Sequence, residues 1–475
     1  MTELWQKSAN EMVTLLKGGQ IRPSEAVDAA AQRIEATNGA VNSMVTLCLV
    51  RAQDYAARIE AQGHPERPGP GYLYGLPISV KDLQHVEGVL CTEGSPIYAD
   101  RVSPESDMLV QSLENNGAIV VGKSNTPEFG AGANTFNEVF GATLNPWDTR
   151  MTCGGSSGGA AVSLATGQTW LATGSDLGGS LRIPGAFCSV VGFRPSPGRC
   201  PRGTSTYLGR FNDLGVVGPM ARNVADVALM LDAMVGQYAH DPISLPVPNE
   251  PFQQAAQTAT PPRRIGWSAT LGIAPVEPEV AEICAAAAAS FGDLGTDVDE
   301  ATPDFTGATE MFLAFRGAMF VAGHGRHIAE HRDQLKPEVI WNYEYGLART
   351  PEDMARAQLT RARIHVSMCE FFETYDLLVT PTVMTPPFPV ETRYLEEVAG
   401  VKFDNYIEWL MHTFVITPSG CPAVSIPCGF TKDGLPVGLQ LVAPPRGEAA
   451  LLSAAAAFEA NQRLQWQTPI DPRVK

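Results

Sequence analysis

The first 60 residues alternate apolar and polar positions with helical spacing. Ser8 stands three residues before Glu11, a capping-box arrangement, and Gly18-Gly19 marks a stop. Ser24 is expected to cap a second helix in which Val27, Ala30, Ala31 and Ile34 share one face, and Asn38-Gly39 to end it. A Pro/Gly-rich stretch from Gly63 to Gly71 interrupts this pattern. Short apolar runs then take over. Leu76 to Val80 and Ala118 to Val121 are predicted strands, and a helix over Asp107 to Asn115, stopped by Gly117, lies between them. Later strand candidates are Arg264 to Trp267, Leu377 to Thr380, Val424 to Ile426 and Val437 to Val442. Apolar strands alternating with helices predict an α/β fold whose sheet is covered on both faces. Residues 240–263, rich in Pro, Gln and Thr, are expected to form a surface excursion. Residues 301–375 are mostly helical in pattern and are expected to lie over the sheet as a cap.

Composition narrows the class. The chain has 475 residues, 44% hydrophobic and 18% charged, which allows a large core and argues against disorder. Length alone allows two or three domains, but one large α/β domain spanning 1–475 also reaches this size. Lys plus Arg number 34 against 51 Asp plus Glu, a formal charge of −17 that argues against nucleic acid as the partner. No stretch of 18 apolar residues suggests a membrane span. The opening Met-Thr-Glu-Leu-Trp-Gln-Lys is unlike a secretory signal. Nine cysteines, an odd number without a Cys-x-x-Cys pair, read as reduced and mostly buried thiols of a cytoplasmic protein.

Three short motif matches need weighing. Gly117 to Ser124 fits the spacing of a phosphate-binding loop, yet its middle, Ala-Ile-Val-Val, has the composition of a strand. His327-Ile-Ala-Glu330-His331, with His324 nearby, fits an inverted zinc-protease motif; the alternative is a polar helix face, and nothing marks a third ligand. Gly154-Gly-Ser156-Ser-Gly158 fits the nucleophile elbow of α/β-hydrolases. That elbow needs a strand before the serine, and Thr149 to Cys153 is a poor one. His240, His365 and His412 follow it without a telling context.

The most informative segment runs from Gly154 to Pro184. It places Ser156 and Ser180 beside glycine pairs, where a serine can meet amide N–H groups aimed at a developing oxyanion. A base has to come from elsewhere. Lys81, at the end of the apolar strand Gly75 to Val80, occupies a position that projects toward the site crevice of α/β sheets; the alternative is a solvated strand end paired with Asp82.

Six motifs occur in order: Leu76-Pro-Ile-Ser-Val-Lys81-Asp82, Gly122 to Phe129, Asn145-Pro-Trp-Asp148, Gly154-Gly-Ser-Ser-Gly-Gly159, Gly174 to Pro184 and Gly192-Phe-Arg-Pro195. Together with Gly434 to Gln440 they resemble the amidase signature family of serine hydrolases over about residues 75–445. The resemblance implies a single α/β/α domain built on a central mixed sheet, with a signature core over about 75–200. It implies a Ser–cis-Ser–Lys triad of Lys81, Ser156 and Ser180, in which Ser180 is the nucleophile, Ser156 the relay and Lys81 the base. It also implies an oxyanion hole from the N–H groups of Leu177, Gly178, Gly179 and Ser180, and an acyl site lined by Gly130. Asp176 and Arg182 flank the nucleophile and read as a supporting pair or as loop packing. No cofactor and no metal is implied, and a homodimer is compatible with this reading.

The chemistry is sound on physical grounds. Lysine is a base only when neutral, its ordinary pKa is about 10.4, and burial lowers it. The sequence departs from the family pattern at Leu177, where threonine is commoner, and at Met151-Thr-Cys153, where a proline is common. Ile183 stands where the glutaminase components of tRNA-dependent amidotransferases carry glutamine. The leading expectation is therefore an amidase of small non-peptide amides, including aryl or alkyl amides, anilides and carbamates. The glutaminase component of an amidotransferase complex is the alternative, and a catalytically silent binding protein the third. Met311, Phe312, Phe315, Met319, Phe320, Trp341, Tyr343 and Tyr345 either line an apolar pocket or fill the core of the cap.

Overall fold

A computed structural model describes residues 3–202 and 211–475. Eleven strands form one mixed sheet: β1 (Met44–Leu47), β2 (Pro77–Lys81), β3 (Ile119–Ser124), β4 (Leu171–Asp176), β5 (Val191–Arg194), β6 (Val216–Ala221), β7 (Arg264–Trp267), β8 (Asp297–Glu300), β9 (Leu377–Pro381), β10 (Ala423–Phe430) and β11 (Pro436–Val442). Their spatial order is β1-β3-β2-β4-β6-β5-β10-β11-β9-β7-β8. Parallel pairs (β3–β2–β4 and β9–β7–β8) flank an antiparallel centre. All the strands expected from the sequence are present, most of them longer than expected.

Both faces of the central strands are buried. On β2, Ile78 and Val80 join the large core that contains Ala9, Met12, Val227 and Met230. They face helices α1 (Ala9–Lys17) and, later in the chain, the Val224–Met234 helix. Ser79 and Lys81 point the other way, since side chains alternate along a strand. Ser79 Oγ lies 3.3 Å from Ser163 Oγ on the helix Gly158–Ala165. The same alternation sends Lys81 to that face.

The N-terminal helices differ in detail from expectation. The Ser8–Glu11 capping box of α1 is present. The second helix, α2 (Pro23–Val41), is opened by Pro23 rather than capped by Ser24, with the Glu25 carboxylate accepting the Arg22 N–H at 2.8 Å. It runs through Asn38-Gly39 and ends at Asn42, whose φ is +51°. Asn38 does not stop the helix because its side chain holds the following chain, accepting the Ser43 and Met44 N–H groups at 2.9 Å. That turn delivers β1, an edge strand inside a segment expected to be helical throughout.

Residues 240–263 are not wholly a surface excursion. Phe252–Thr258 forms a helix with Phe252 and Ala256 buried. The segment resembling a phosphate loop is β3, buried at every position and paired on both sides. Its amides belong to the sheet, so the phosphate reading fails. Residues 301–375 form three helices, Ala308–His331, Pro337–Leu347 and Pro351–Phe372. No helix among the described residues is long and apolar enough to cross a membrane. All nine cysteines are free thiols, most of them buried.

Candidate active site

Lys81 is fully buried at the end of β2. Its Nζ lies 2.7 Å from Ser156 Oγ, 2.9 Å from Ser157 Oγ and 3.1 Å from Ser175 Oγ. It makes no pair with Asp82. That carboxylate is taken by Lys123 of β3, at 3.0 Å in an equally buried ion pair, and by the Thr92 hydroxyl at 2.6 Å. Burial therefore acts on Lys81 almost unopposed and brings its pKa down to about 7, with the more distant Asp176 acting weakly in the other direction.

Ser156 and Ser157 lie on the turn that opens the helix Gly158–Ala165, and the Gly155–Ser156 peptide bond is cis. The turn is held by Thr135, whose hydroxyl donates to the Gly154 carbonyl at 2.8 Å and accepts the Gly158 N–H at 3.1 Å. A side chain at Gly158 would collide with that hydroxyl, its Cβ falling 2.2 Å from Thr135 Oγ1. The Ser157 N–H donates to the Ser180 carbonyl at 3.2 Å, which joins the two serine-bearing turns. The residues before Ser156 form isolated bridges rather than a strand, so the nucleophile elbow is absent.

Ser180 lies on the turn between β4 and the helix Arg182–Cys188. Asp176 organises this turn, accepting the Gly179 N–H at 3.0 Å and the Leu181 N–H at 3.2 Å. Arg182 grips the same carboxylate with two nitrogens, at 2.9 and 2.8 Å. Arg194 adds a third cationic contact at 3.2 Å. Burial alone would raise the Asp176 pKa, but the two guanidiniums hold it well below the usual carboxylate range. The carbonyls of Leu177 and Gly178 accept the Thr417 and Thr413 hydroxyls, each at 2.6 Å. In a planar trans peptide N–H and C=O point apart, so the Gly178 N–H faces away from Thr417. The Gly179 N–H, one of the four expected oxyanion donors, is instead directed at Asp176. The N–H groups of Leu177, Gly178 and Ser180 remain as candidate donors.

Ser156, Ser175, Asp176, Leu177 and Ser180 line one cavity of about 200 Å³. Gly130 is on its wall with φ +68°, and a Cβ there would sit 3.3 Å from Ser156 Oγ. The opposite wall carries Arg316, Met319, Phe320 and His324. An adjoining cavity of about 740 Å³ shares Leu83, Phe129, Arg202, Met319 and His324 with it. Of the eight apolar and aromatic residues noted in 301–375, Phe315, Met319 and Phe320 line these cavities. Met311 and Phe312 are core, and Trp341, Tyr343 and Tyr345 pack against it.

The histidines do not assemble a metal site. His327 shares a hydrogen bond of 2.8 Å with the Tyr98 hydroxyl and stacks on Phe129. His331 is half-exposed beside Glu330. Among the described residues no three His, Cys, Asp or Glu side chains are placed to share a metal ion. His412 is buried against the Ala269 carbonyl, and His365 bonds the Ser419 carbonyl; neither lines the cavity.

Sequence reasoning missed Ser157, Ser175, Arg194 and Arg316. The first three stand inside motifs already singled out, so a signal existed. Which of their atoms meet Lys81 and Asp176 depends on strand register, which the sequence does not display.

The amidase family profile matches residues 25–452. The chain belongs to the amidase signature family. It is 34% identical to the acylamidase of Rhodococcus erythropolis, over 98% of both chains. It is also 36% identical to the A subunit of the glutamyl-tRNA(Gln) amidotransferase of Moorella thermoacetica, over 98% of this chain and 99% of the relative. A solved bacterial aryl acylamidase superposes with a TM-score of 0.90 at 28% identity, covering 97% of each chain. The protein is an amidase, a hydrolase of amide C–N bonds.

Proposed function

We propose that this amidase acts alone on small non-peptide amides, including aryl or alkyl amides, anilides and carbamates, through an acyl-enzyme on Ser180. The observation that carries the reading is the buried Lys81 amine, 2.7 Å from Ser156 Oγ, at a cavity that Ser156 and Ser180 both line. With a pKa of about 7, much of Lys81 is neutral near neutral pH. Neutral Lys81 takes the Ser156 proton as Ser156 takes that of Ser180. The Ser180 oxygen attacks the amide carbonyl, and Leu177, Gly178 and Ser180 N–H groups receive the oxyanion, each donor typically worth about 3–4 kcal/mol in the barrier. The proton returns through Ser156 to the leaving nitrogen, the C–N bond breaks, and the amine departs. Water, activated by the same relay, then cleaves the ester to release the acid. No residue of this scheme calls for a cofactor. The free thiols support a cytoplasmic location.

The likeness to the amidotransferase relative favours a second reading, glutaminase within a complex. Two features weigh against it. Ile183 stands where glutamine is usual in that branch of the family. The cavity also offers no unpaired carboxylate among the described residues for the ammonium of glutamine, because its one acid, Asp176, is engaged by Arg182 and Arg194.

A fluorophosphonate probe is expected to label the wild-type protein and to leave Ser180→Ala unlabelled and inactive. Labelling that persists in the variant refutes the assignment. Obligate co-purification with two further proteins of an amidotransferase complex would replace the stand-alone reading with the glutaminase one.

A further inference from the structure

Arg316 is the least explained group at the cavity. It lies in the middle of the helix Ala308–His331 and is only 5% exposed. Its Nε donates to Asn342 Oδ1 at 2.9 Å and its Nη2 to the Tyr406 hydroxyl at 3.2 Å, and it packs on the Phe320 ring. Every one of these partners is neutral. A buried cation is ordinarily paired, because desolvation penalises a lone charge. Among the described residues no carboxylate lies within ion-pair distance of Arg316, and residues 203–210 contain no Asp or Glu.

The nearby acids are all taken. Glu338, one helical turn from Asn342, is gripped by Arg393 at 2.5 and 2.6 Å. Asp176 is held by Arg182 and Arg194. In the adjoining cavity Glu93 pairs with Arg101 at 2.7 Å and Asp213 with Arg361 at 2.6 Å. Arg202, which also lines this cavity, bonds the Gly215 carbonyl at 2.8 Å through Nη1, while its backbone N–H donates to the Asp241 carboxylate at 2.9 Å and that charge acts on its guanidinium. His324 is kept neutral by burial, so it adds no further positive charge to the cavity. A chain of net charge −17 thus holds an unpaired guanidinium, Arg316, at the cavity containing Ser180.

We infer that the amide substrate carries a carboxylate and that Arg316 binds it. The inference rests on Ser180 as the reacting group, since that fixes where the amide lies. A guanidinium already held by Asn342 and Tyr406 is pre-oriented to donate to a carboxylate without further loss of side-chain freedom.

Two matched substrate pairs test it. One pair is glutaric acid mono-4-nitroanilide against pentanoic acid 4-nitroanilide. The other is N-butyryl-4-aminobenzoate against its methyl ester. Wild type is expected to favour the acid of at least one pair by about tenfold or more in kcat/KM, through KM, the effect of a hydrogen bond to a charged group. Arg316→Gln should erase that preference, lowering kcat/KM for the acid by about tenfold more than for its neutral partner. Arg316→Lys, which keeps the charge, should retain part of it. In wild type the KM for the acid should also rise with salt, a readout that needs no variant to fold. Preference for the neutral member in both pairs overturns the inference, as does an equal loss for acid and neutral substrate in Arg316→Gln. In that event Arg316 only ties the helices together. Fluorophosphonate labelling separates the two claims: unlabelled wild-type Ser180 counts against the nucleophile, whereas a labelled enzyme without acid preference counts against Arg316.

Discussion

Lys81 illustrates how position sets chemistry. An amine has one lone pair and two N–H bonds when neutral, and Lys81 Nζ has three hydroxyl neighbours. If Ser157 and Ser175 accept the two N–H bonds, the lone pair is left for Ser156. The kcat/KM should then rise with pH through about 7, because the base works only after Lys81 loses its proton. Lys81→Arg should lower kcat by about 10²–10⁴, since a guanidinium stays protonated and cannot serve as base. A profile flat from pH 5 to 9 would remove Lys81 from the role. Ser157→Ala should lower kcat with little change in KM, by about tenfold to a hundredfold, the range for a lost hydrogen bond to such a group. Steady-state kinetics on one substrate decides it, and an unchanged kcat would leave the amine's orientation to Ser175 alone.

The turn between β4 and the helix Arg182–Cys188 is the element on which the site depends. Gly179 has a φ of +123°, a region that side chains avoid, and a Cβ there would lie 2.2 Å from Thr413 Oγ1. Gly179→Ala should therefore push the turn away from residue 413 and break the bonds that Thr413 and Asp176 make to it. Activity should fall by about 10² or more, as for loss of an oxyanion donor, while the far-ultraviolet circular dichroism stays unchanged. Wild-type turnover in that variant would show that the turn is not rigidly required. The glycines of this turn were legible in the sequence because nothing else tolerates such backbone. The strand leading to it was not. Leu171-Ala-Thr-Gly-Ser-Asp176 is small and polar because it lies in the middle of the sheet, packed closely against neighbouring turns. A Cβ at Gly174 would fall 2.5 Å from Leu181 and 2.9 Å from Ser157 Oγ. The apolar strands Leu377–Pro381 and Pro436–Val442 follow the ordinary pattern and were legible. The polar edge strand Asp297-Val-Asp-Glu300 was not, since its partner supplies the pairing that its own composition does not suggest.

At the scale of the molecule, the buried cluster of Asp176, Arg182 and Arg194 ties the turn that carries Ser180 to the middle of the sheet. Arg182 Nη1 reaches the Thr413 carbonyl at 2.9 Å and Gln440 Oε1 on β11 at 2.6 Å. Arg194 on β5 donates to the Asp176 and Leu214 carbonyls at 2.6 and 2.8 Å. Two cations thus share one carboxylate with no exposure to water. Removing that charge leaves both guanidiniums buried without a counter-ion, and such breakage costs about 3–5 kcal/mol. Asp176→Asn, which keeps the shape, should lower the unfolding free energy by that amount, read as a lower urea midpoint at an unchanged slope. The pH dependence has a definite sign. The folded-state pKa of Asp176 lies below its ordinary value of about 3.9, so the charge stabilises the fold fully above that value and the contribution is lost only as the pH falls beneath it. The deficit of the variant should accordingly be the same at pH 6 and pH 8 and shrink in strong acid. A variant that unfolds at the wild-type midpoint would mean that apolar packing alone joins the turn to the sheet.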